Sequence, residues 1–177
     1  MSRRNVEVKF RLSVQKYLEL CEKIERLFSS HKIDQTDTFF QTSCPDIRLK
    51  LREETYSRVE DNHLFYLISY TRSDDAKARL SSYDICPCTE ELGLVMKKSL
   101  PVLDCVKKFR TVSLHEQTRI HLDFIDGLGH FGEIEVVLTN LQTVEDGQTI
   151  LEKYLQILDI SKNAFLSSAY VDLLLKK

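Results

Sequence analysis

A chain of 177 residues with 42% hydrophobic content can bury one sizeable core, and residues 1–177 are read as a single domain. Its 25 Lys and Arg stand against 27 Asp and Glu, and the net charge of −2 excludes a global pull toward nucleic acid or an anionic membrane surface. No apolar run approaches the roughly 20 residues that span a bilayer, and Met1-Ser2-Arg3-Arg4 lacks a signal-peptide core. The five cysteines are irregularly spaced, and Cys86-Pro-Cys88 lacks the gap of a redox or zinc pair, so reduced thiols in a soluble cytoplasmic protein are expected.

In Arg4-Asn5-Val6-Glu7-Val8-Lys9-Phe10, Val6, Val8 and Phe10 alternate with Asn5, Glu7 and Lys9, the period of a strand with one apolar and one polar face. Ser13 is a candidate N-cap for a helix to about residue 29, with Val14, Tyr17, Leu18, Cys21, Ile24 and Phe28 as its stripe. Residues 31 to 42 read as a second strand of weaker alternation, ended at Ser43-Cys44-Pro45-Asp46, and Ile47 to Glu54 as a third. A charged bend over 55–62 leads to a fourth strand, His63 to Arg72, and Ser73-Asp74-Asp75 turns the chain into a fifth, Arg79 to Cys86, ended by Pro87. Thr89 caps a short helix to about Ser99 with Leu92, Val95 and Met96 buried.

Strands then follow at 103–112, 116–125 and 130–139, the last two joined by Asp126-Gly127-Leu128-Gly129. Helices over about 143–157 and 163–175 close the chain. The class is α+β, dominated by eight antiparallel strands.

A strand with alternate polar residues is most often a sheet whose second face meets water. Here, however, like charges recur at i, i+2: Arg48, Lys50 and Arg52; Lys108 and Arg110; Glu133 and Glu135; with Glu7, Arg119 and Asp123 on other strands. Like charges stacked this way repel unless they are hydrated or an opposite sign lies among them. Either the charges are spread in solvent, or the strands curl into a barrel whose lumen holds both signs and binds a polyanion with divalent metal. Eight strands match a barrel that encloses one small ligand, its apolar outer face covered by helices. In such a lumen carboxylates suit Mg²⁺ or Mn²⁺ and arginines suit phosphate oxygens, so the inferred ligand is a polyphosphate.

Six segments resemble one family. Asn5-Val6-Glu7-Val8-Lys9 is similar to the E-x-E-x-K signature of the CYTH superfamily, the triphosphate tunnel metalloenzymes, which includes class IV adenylyl cyclases and thiamine triphosphatases. Arg48-Leu49-Lys50-Leu51-Arg52-Glu53 resembles its basic strand, Tyr70-Thr71-Arg72 with Arg79-Leu80-Ser81 its next pair, and Val106-Lys107-Lys108-Phe109-Arg110 its V-x-K-x-R strand. Residues 122–135 resemble its D-x-x-x-x-L-G-x-F-x-E-x-E segment, and Ser168-Ala169-Tyr170-Val171-Asp172-Leu173-Leu174 the end of the class IV cyclase branch.

The resemblance implies a closed eight-stranded antiparallel barrel, the triphosphate tunnel, with helices packed outside. It implies metal (Mg²⁺ or Mn²⁺) on Glu7, Asp123, Glu133 and Glu135, and catalytic roles for Lys9 and Glu7. Substrate phosphates would be held by Arg48, Lys50, Arg52, Arg72, Arg79, Lys108, Arg110 and Arg119. Asn5 replaces the first signature Glu, which implies weaker metal affinity or the loss of a second metal position, and Lys50 replaces an Arg, a point charge for a fork. The expected activity is metal-dependent hydrolysis of inorganic tripolyphosphate or an organic triphosphate. The alternatives are an adenylyl cyclase forming cyclic AMP from ATP and a non-catalytic polyphosphate or nucleotide binder. The expected partner is a small-molecule triphosphate or nucleotide, with no nucleic acid and no membrane, and a homodimer left open.

Overall fold

A computed structural model of the chain describes residues 3–56, 63–72 and 79–175; the expected bend at 55–62 and the Ser73-Asp74-Asp75 turn lie largely or wholly outside the described residues. The strands are β1 (Arg3–Leu12), β2 (Ser29–Phe40), β3 (Ile47–Tyr56), β4 (His63–Arg72), β5 (Arg79–Cys88), β6 (Val102–His115), β7 (Thr118–Ile125), β8 (Gly129–Leu138) and the short β9 (Phe165–Leu166). The helices are α1 (Val14–Leu27), α2 (Glu90–Ser99), α3 (Val144–Leu158) and α4 (Tyr170–Leu174).

All strand pairings are antiparallel, and β1 closes the barrel. Along one edge β1 pairs with β8 from Arg4↔Leu138 to Leu12↔His130. Its other edge is divided: Arg3 to Glu7 pair with β5, and Lys9 and Phe10 with β9. The expected eight-stranded barrel with outer helices is therefore the fold, and β9 is the addition.

Alternation places Val6, Val8 and Phe10 of β1, Ile120 and Leu122 of β7, and Ile134, Val136 and Leu138 of β8 on the outside of the barrel. α1 covers them with Tyr17, Leu20 and Ile24, and α3 with Leu151, Tyr154, Leu155 and Leu158. Fully burying each such side chain contributes about 1.5–3 kcal/mol, so this layer fixes the wall that carries β1, β7 and β8. Gly147 allows α3 its close approach, because a Cβ there would lie 2.7 Å from both Leu138 and Val6. Gly132 does the same for the ring of Phe10, which a Cβ would meet at 2.1 Å. Ser13 and Thr89 cap α1 and α2 as expected, and Thr143 with Asp146 forms a capping box on α3.

Four expectations are corrected. α1 turns Tyr17, Leu20 and Ile24 inward and leaves Val14 and Leu18 exposed, because the surface it covers is a narrow barrel wall. α2 seats itself through Gly93 against Leu51 and leaves Leu92 and Val95 exposed rather than burying a stripe. Pro87 does not end β5: β1 pairs only with residues 79–83 of that strand, so Pro87 lies on an open edge where no N–H is required. The expected final helix over 163–175 is a 3-10 turn, β9 and the short α4, because Phe165 and Leu166 pair with β1 and interrupt it.

Candidate functional site

The inward faces of the strands line a tunnel of about 300 Å³. Register sorts its charges. On β1, β7 and β8, Glu7 and Arg119 stand opposite Glu135, and Lys9 and His121 opposite Glu133. On β2, β3 and β6, Asp37 stands opposite Arg52 and Val106, and Gln35 opposite Glu54 and Lys108.

Asp37 is the centre of the cationic wall. Its Oδ2 accepts from Lys50 Nζ at 3.0 Å and Lys108 Nζ at 3.2 Å, and its Oδ1 accepts from Arg52 Nε at 2.8 Å. Burial alone would raise the Asp37 carboxyl, but Arg52, Lys108 and Lys50 outweigh it and hold the group well below the usual carboxylate range. Burial and the neighbouring Arg52 bring the Lys50 ammonium down to about 7. Burial and Arg110 bring Lys108 to about 8.

Arg110 joins the two walls. Its Nε and Nη2 donate to Asp123 Oδ1 and Oδ2 at 2.6 and 2.7 Å, a bidentate pair, and Nη2 also lies 3.2 Å from Glu133 Oε2. Asp123 is 0% exposed, and against its burial Arg110 brings its carboxyl to about 2. Glu133 also accepts from Lys9; burial would raise it, but Lys9, His121 and Arg110 hold it well below its ordinary value. His121 Nδ1 lies 3.3 Å from Glu133 Oε2 and 3.9 Å from Glu135 Oε1, and burial followed by Arg110 lowers its pKa, leaving a neutral ring at pH 7. Arg119 Nη1 reaches Glu135 Oε2 at 3.5 Å.

The two ends of the tunnel differ. α4 packs across one of them: Ala169, Tyr170 and Val171 join Phe39, Val106, Ile125 and Phe131 in an apolar cluster. The Tyr170 ring faces Lys9 Nζ at 4.1 Å and Lys108 Nζ at 5.4 Å. Asp172 holds α4 in place, accepting from the backbone N–H of Ala169 at 3.1 Å and from Arg48 Nη2 at 2.9 Å. Toward the start of β2 the lining becomes apolar, with Ile33, Val112 and Leu114, and the His31 and Tyr56 rings stack with centroids 5.6 Å apart.

The tunnel thus brings together Glu7, Lys9, Lys50, Arg52, Lys108, Arg110, Arg119, Glu133 and Glu135 from the sequence expectation. Arg48 instead pairs with α4, and Asp123 lies behind Arg110 rather than on the tunnel surface. The side chains of Arg72 and Arg79 lie outside the described residues. Sequence reasoning missed Asp37, Gln35 and Glu54. Asp37 shares the inward parity of Ile33, Gln35 and Phe39, so a stricter period-2 reading of β2 would have found it.

Ligand atoms of His121, Glu133 and Glu135 all lie within 4.8 Å of one another. Two carboxylates and one imidazole converging in a buried wall fit a divalent cation, with the carboxylates oriented by Lys9, Arg110 and Arg119. Among the described residues no helix is long and apolar enough to cross a membrane.

A search of curated proteins finds no match. The fold is similar to the PH1819 protein of Pyrococcus horikoshii OT3, at 23% identity and a TM-score of 0.79 over 97% of this chain and 98% of that one. It is also similar to the putative adenylyl cyclase HpAC1 of Hippeastrum, which has a dominant triphosphatase activity (16% identity, TM-score 0.66, 98% and 95% covered). A third similar structure is the Mimivirus capping enzyme triphosphatase (10% identity, TM-score 0.58, 88% and 89% covered). The CYTH domain family model matches residues 3–170, nearly the whole of the described barrel from β1 to the start of α4, and the chain belongs to the CYTH domain family.

Proposed function

We propose that the chain is a divalent-metal-dependent triphosphatase acting on inorganic tripolyphosphate or an organic triphosphate. The observation that carries this reading is the buried triangle of Lys50, Arg52 and Lys108 around Asp37, facing the His121, Glu133 and Glu135 donor group across one small tunnel. Lys50, Arg52 and Lys108 bind phosphate oxygens in place of Asp37. Arg110, aimed by Asp123, and Lys9, released from Glu133, meet the charge that builds on the transferred phosphoryl group. Glu133 and Glu135, with His121 beside them, would hold the cation, and Glu7, opposite Glu135 on β1, would orient the attacking water. The bound cation supplies charge neutralisation at the phosphoryl oxygens.

Electrostatics favour metal and substrate arriving together. The cations Lys9, Lys50, Arg52, Lys108, Arg110 and Arg119 are matched among the described side chains by Glu7, Asp37, Glu54, Asp123, Glu133 and Glu135. A near-neutral cavity gains little from a highly charged polyanion alone and more from its metal complex.

The test is phosphate release and cyclic AMP formation from tripolyphosphate, thiamine triphosphate and ATP, each with Mg²⁺ or Mn²⁺ and with chelator. Metal-dependent phosphate release without cyclic AMP is the expected result. The stacked His31 and Tyr56 rings, together with Gln35, whose buried amide oxygen and nitrogen have no hydrogen-bond partner, favour a second reading in which a base is held and ATP is cyclised. Cyclic AMP as the main product would establish that reading. Tight triphosphate binding with no turnover would identify a receptor.

A further inference from the structure

His121 is set into the acidic wall rather than beside it. It stands opposite Glu133 in the β7–β8 register, and Glu133 and Glu135 are successive inward positions of β8. The three ligand atoms therefore approach from two adjacent strands and lie within 4.8 Å of one another. A second, separate feature points into the same wall. The Oδ1 of Asn5, a residue 3% exposed, has no hydrogen-bond partner and lines the tunnel one inward position from Glu7, which pairs in register with Glu135. A buried amide oxygen without a donor is costly unless a cation or a water completes it. Asp123 is not placed for this purpose, because it lies behind Arg110 and off the tunnel lining.

We propose that the cation site of this tunnel has mixed nitrogen and oxygen ligands, with His121 binding the ion directly beside Glu133 and Glu135, and that it selects Mn²⁺ or a later first-row ion over Mg²⁺. The inference rests on reading the tunnel as a metal-dependent triphosphate site. Mg²⁺ is a small, hard ion that keeps several waters and takes carboxylate and phosphate oxygens. Imidazole nitrogen is a borderline ligand whose contribution grows along the first transition row. With one imidazole among three protein ligands, the site's affinity rises from Mg²⁺ to Mn²⁺ rather than staying level. Two carboxylates also offset a divalent charge without a further acid, which accommodates Asn5 on β1.

The probe is Mn²⁺ added to the full chain without substrate, its binding followed by electron paramagnetic resonance and its ligands by pulsed methods. A directly coordinated ¹⁴N coupling is expected, changing to the ¹⁵N pattern when the protein carries ¹⁵N-histidine. Mn²⁺ should bind at least about tenfold tighter than Mg²⁺ in competition, and His121→Asn should abolish the nitrogen coupling and most of that preference. His63→Asn, at an exposed histidine, should change neither. Oxygen-only couplings in the wild type, or displacement of Mn²⁺ by equal Mg²⁺, would overturn the proposal, and the labelled wild type decides this even where His121→Asn does not fold. Triphosphate hydrolysis with an oxygen-only Mn²⁺ spectrum overturns this inference and spares the function; nitrogen-bound Mn²⁺ without hydrolysis of any triphosphate does the reverse.

Discussion

Asp37 accepts from Arg52 through both oxygens, Oδ1 at 2.8 Å from Nε and Oδ2 at 3.3 Å from Nη2, and so occupies the guanidinium fork. On the proposed function the carboxylate is an internal stand-in for substrate. It keeps three cations from repelling one another in a dry wall and must yield them when a polyanion arrives.

Asp37→Asn should therefore destabilise the empty protein by about 3–5 kcal/mol, the usual cost of leaving buried charges without their partner. Tripolyphosphate with metal should restore the loss, giving a larger ligand-induced rise in Tm than in the wild type, as read by differential scanning fluorimetry. The depressed Asp37 carboxyl contributes stability that is present above its unfolded value near 4 and is lost as pH falls below it, so the variant should also show a shallower acid limb. Equal ligand-induced shifts in both proteins would remove Asp37 from the anion site.

Burial brings the Lys50 ammonium down to about 7 and that of Lys108 to about 8. A bound polyphosphate favours their charged forms, so binding takes up protons across that window and affinity falls as pH rises through it. Each lysine steepens the fall by up to about tenfold per pH unit. Calorimetry at pH 7.5 in two buffers of different ionisation heat should show net proton uptake; proton release would contradict the assignment.

Glu135→Gln removes one carboxylate from the cation site while leaving its polar contacts possible. Metal-dependent turnover should fall by at least about 100-fold with Tm nearly unchanged, measured by phosphate release and thermal melting. Full activity in the variant would take Glu135 out of the site.

Asp123→Asn separates two roles. Its carboxylate lies behind Arg110, with both oxygens held by that guanidinium. The substitution should weaken triphosphate binding and lower Tm while leaving Mn²⁺ affinity unchanged. A matching loss of Mn²⁺ affinity would restore Asp123 to the metal ligands.

Much of this was legible because strand alternation is a local property. Val6, Val8 and Phe10 against Glu7 and Lys9, and Ile134 and Val136 against Glu133 and Glu135, each declare two faces without reference to any partner. What alternation leaves open is depth. His121 and Asp123 share one parity on β7, yet the first reaches the tunnel and the second lies behind Arg110, a distinction set by register with β6 and β8. Arg48 and Arg52 likewise share a face, but only the first lies near α4, whose Asp172 claims it. The sites of α1 and α2 were misread for a related reason, since a helix stripe shows periodicity and not the width of the surface it meets.

The closure of one end by α4 has a kinetic consequence. Lys9 and Lys108 converge on Tyr170 at that end, so a triphosphate whose terminal phosphate reaches them has the rest of its length between that phosphate and the His31 mouth. On the proposed hydrolysis, cleavage then leaves orthophosphate innermost and the shorter product outermost. Departure should then be ordered, the shorter product first and orthophosphate last. Orthophosphate is therefore expected to act as the competitive product inhibitor and the shorter product as the noncompetitive one, a signature written by α4 packed across one end rather than by the strength of any single contact.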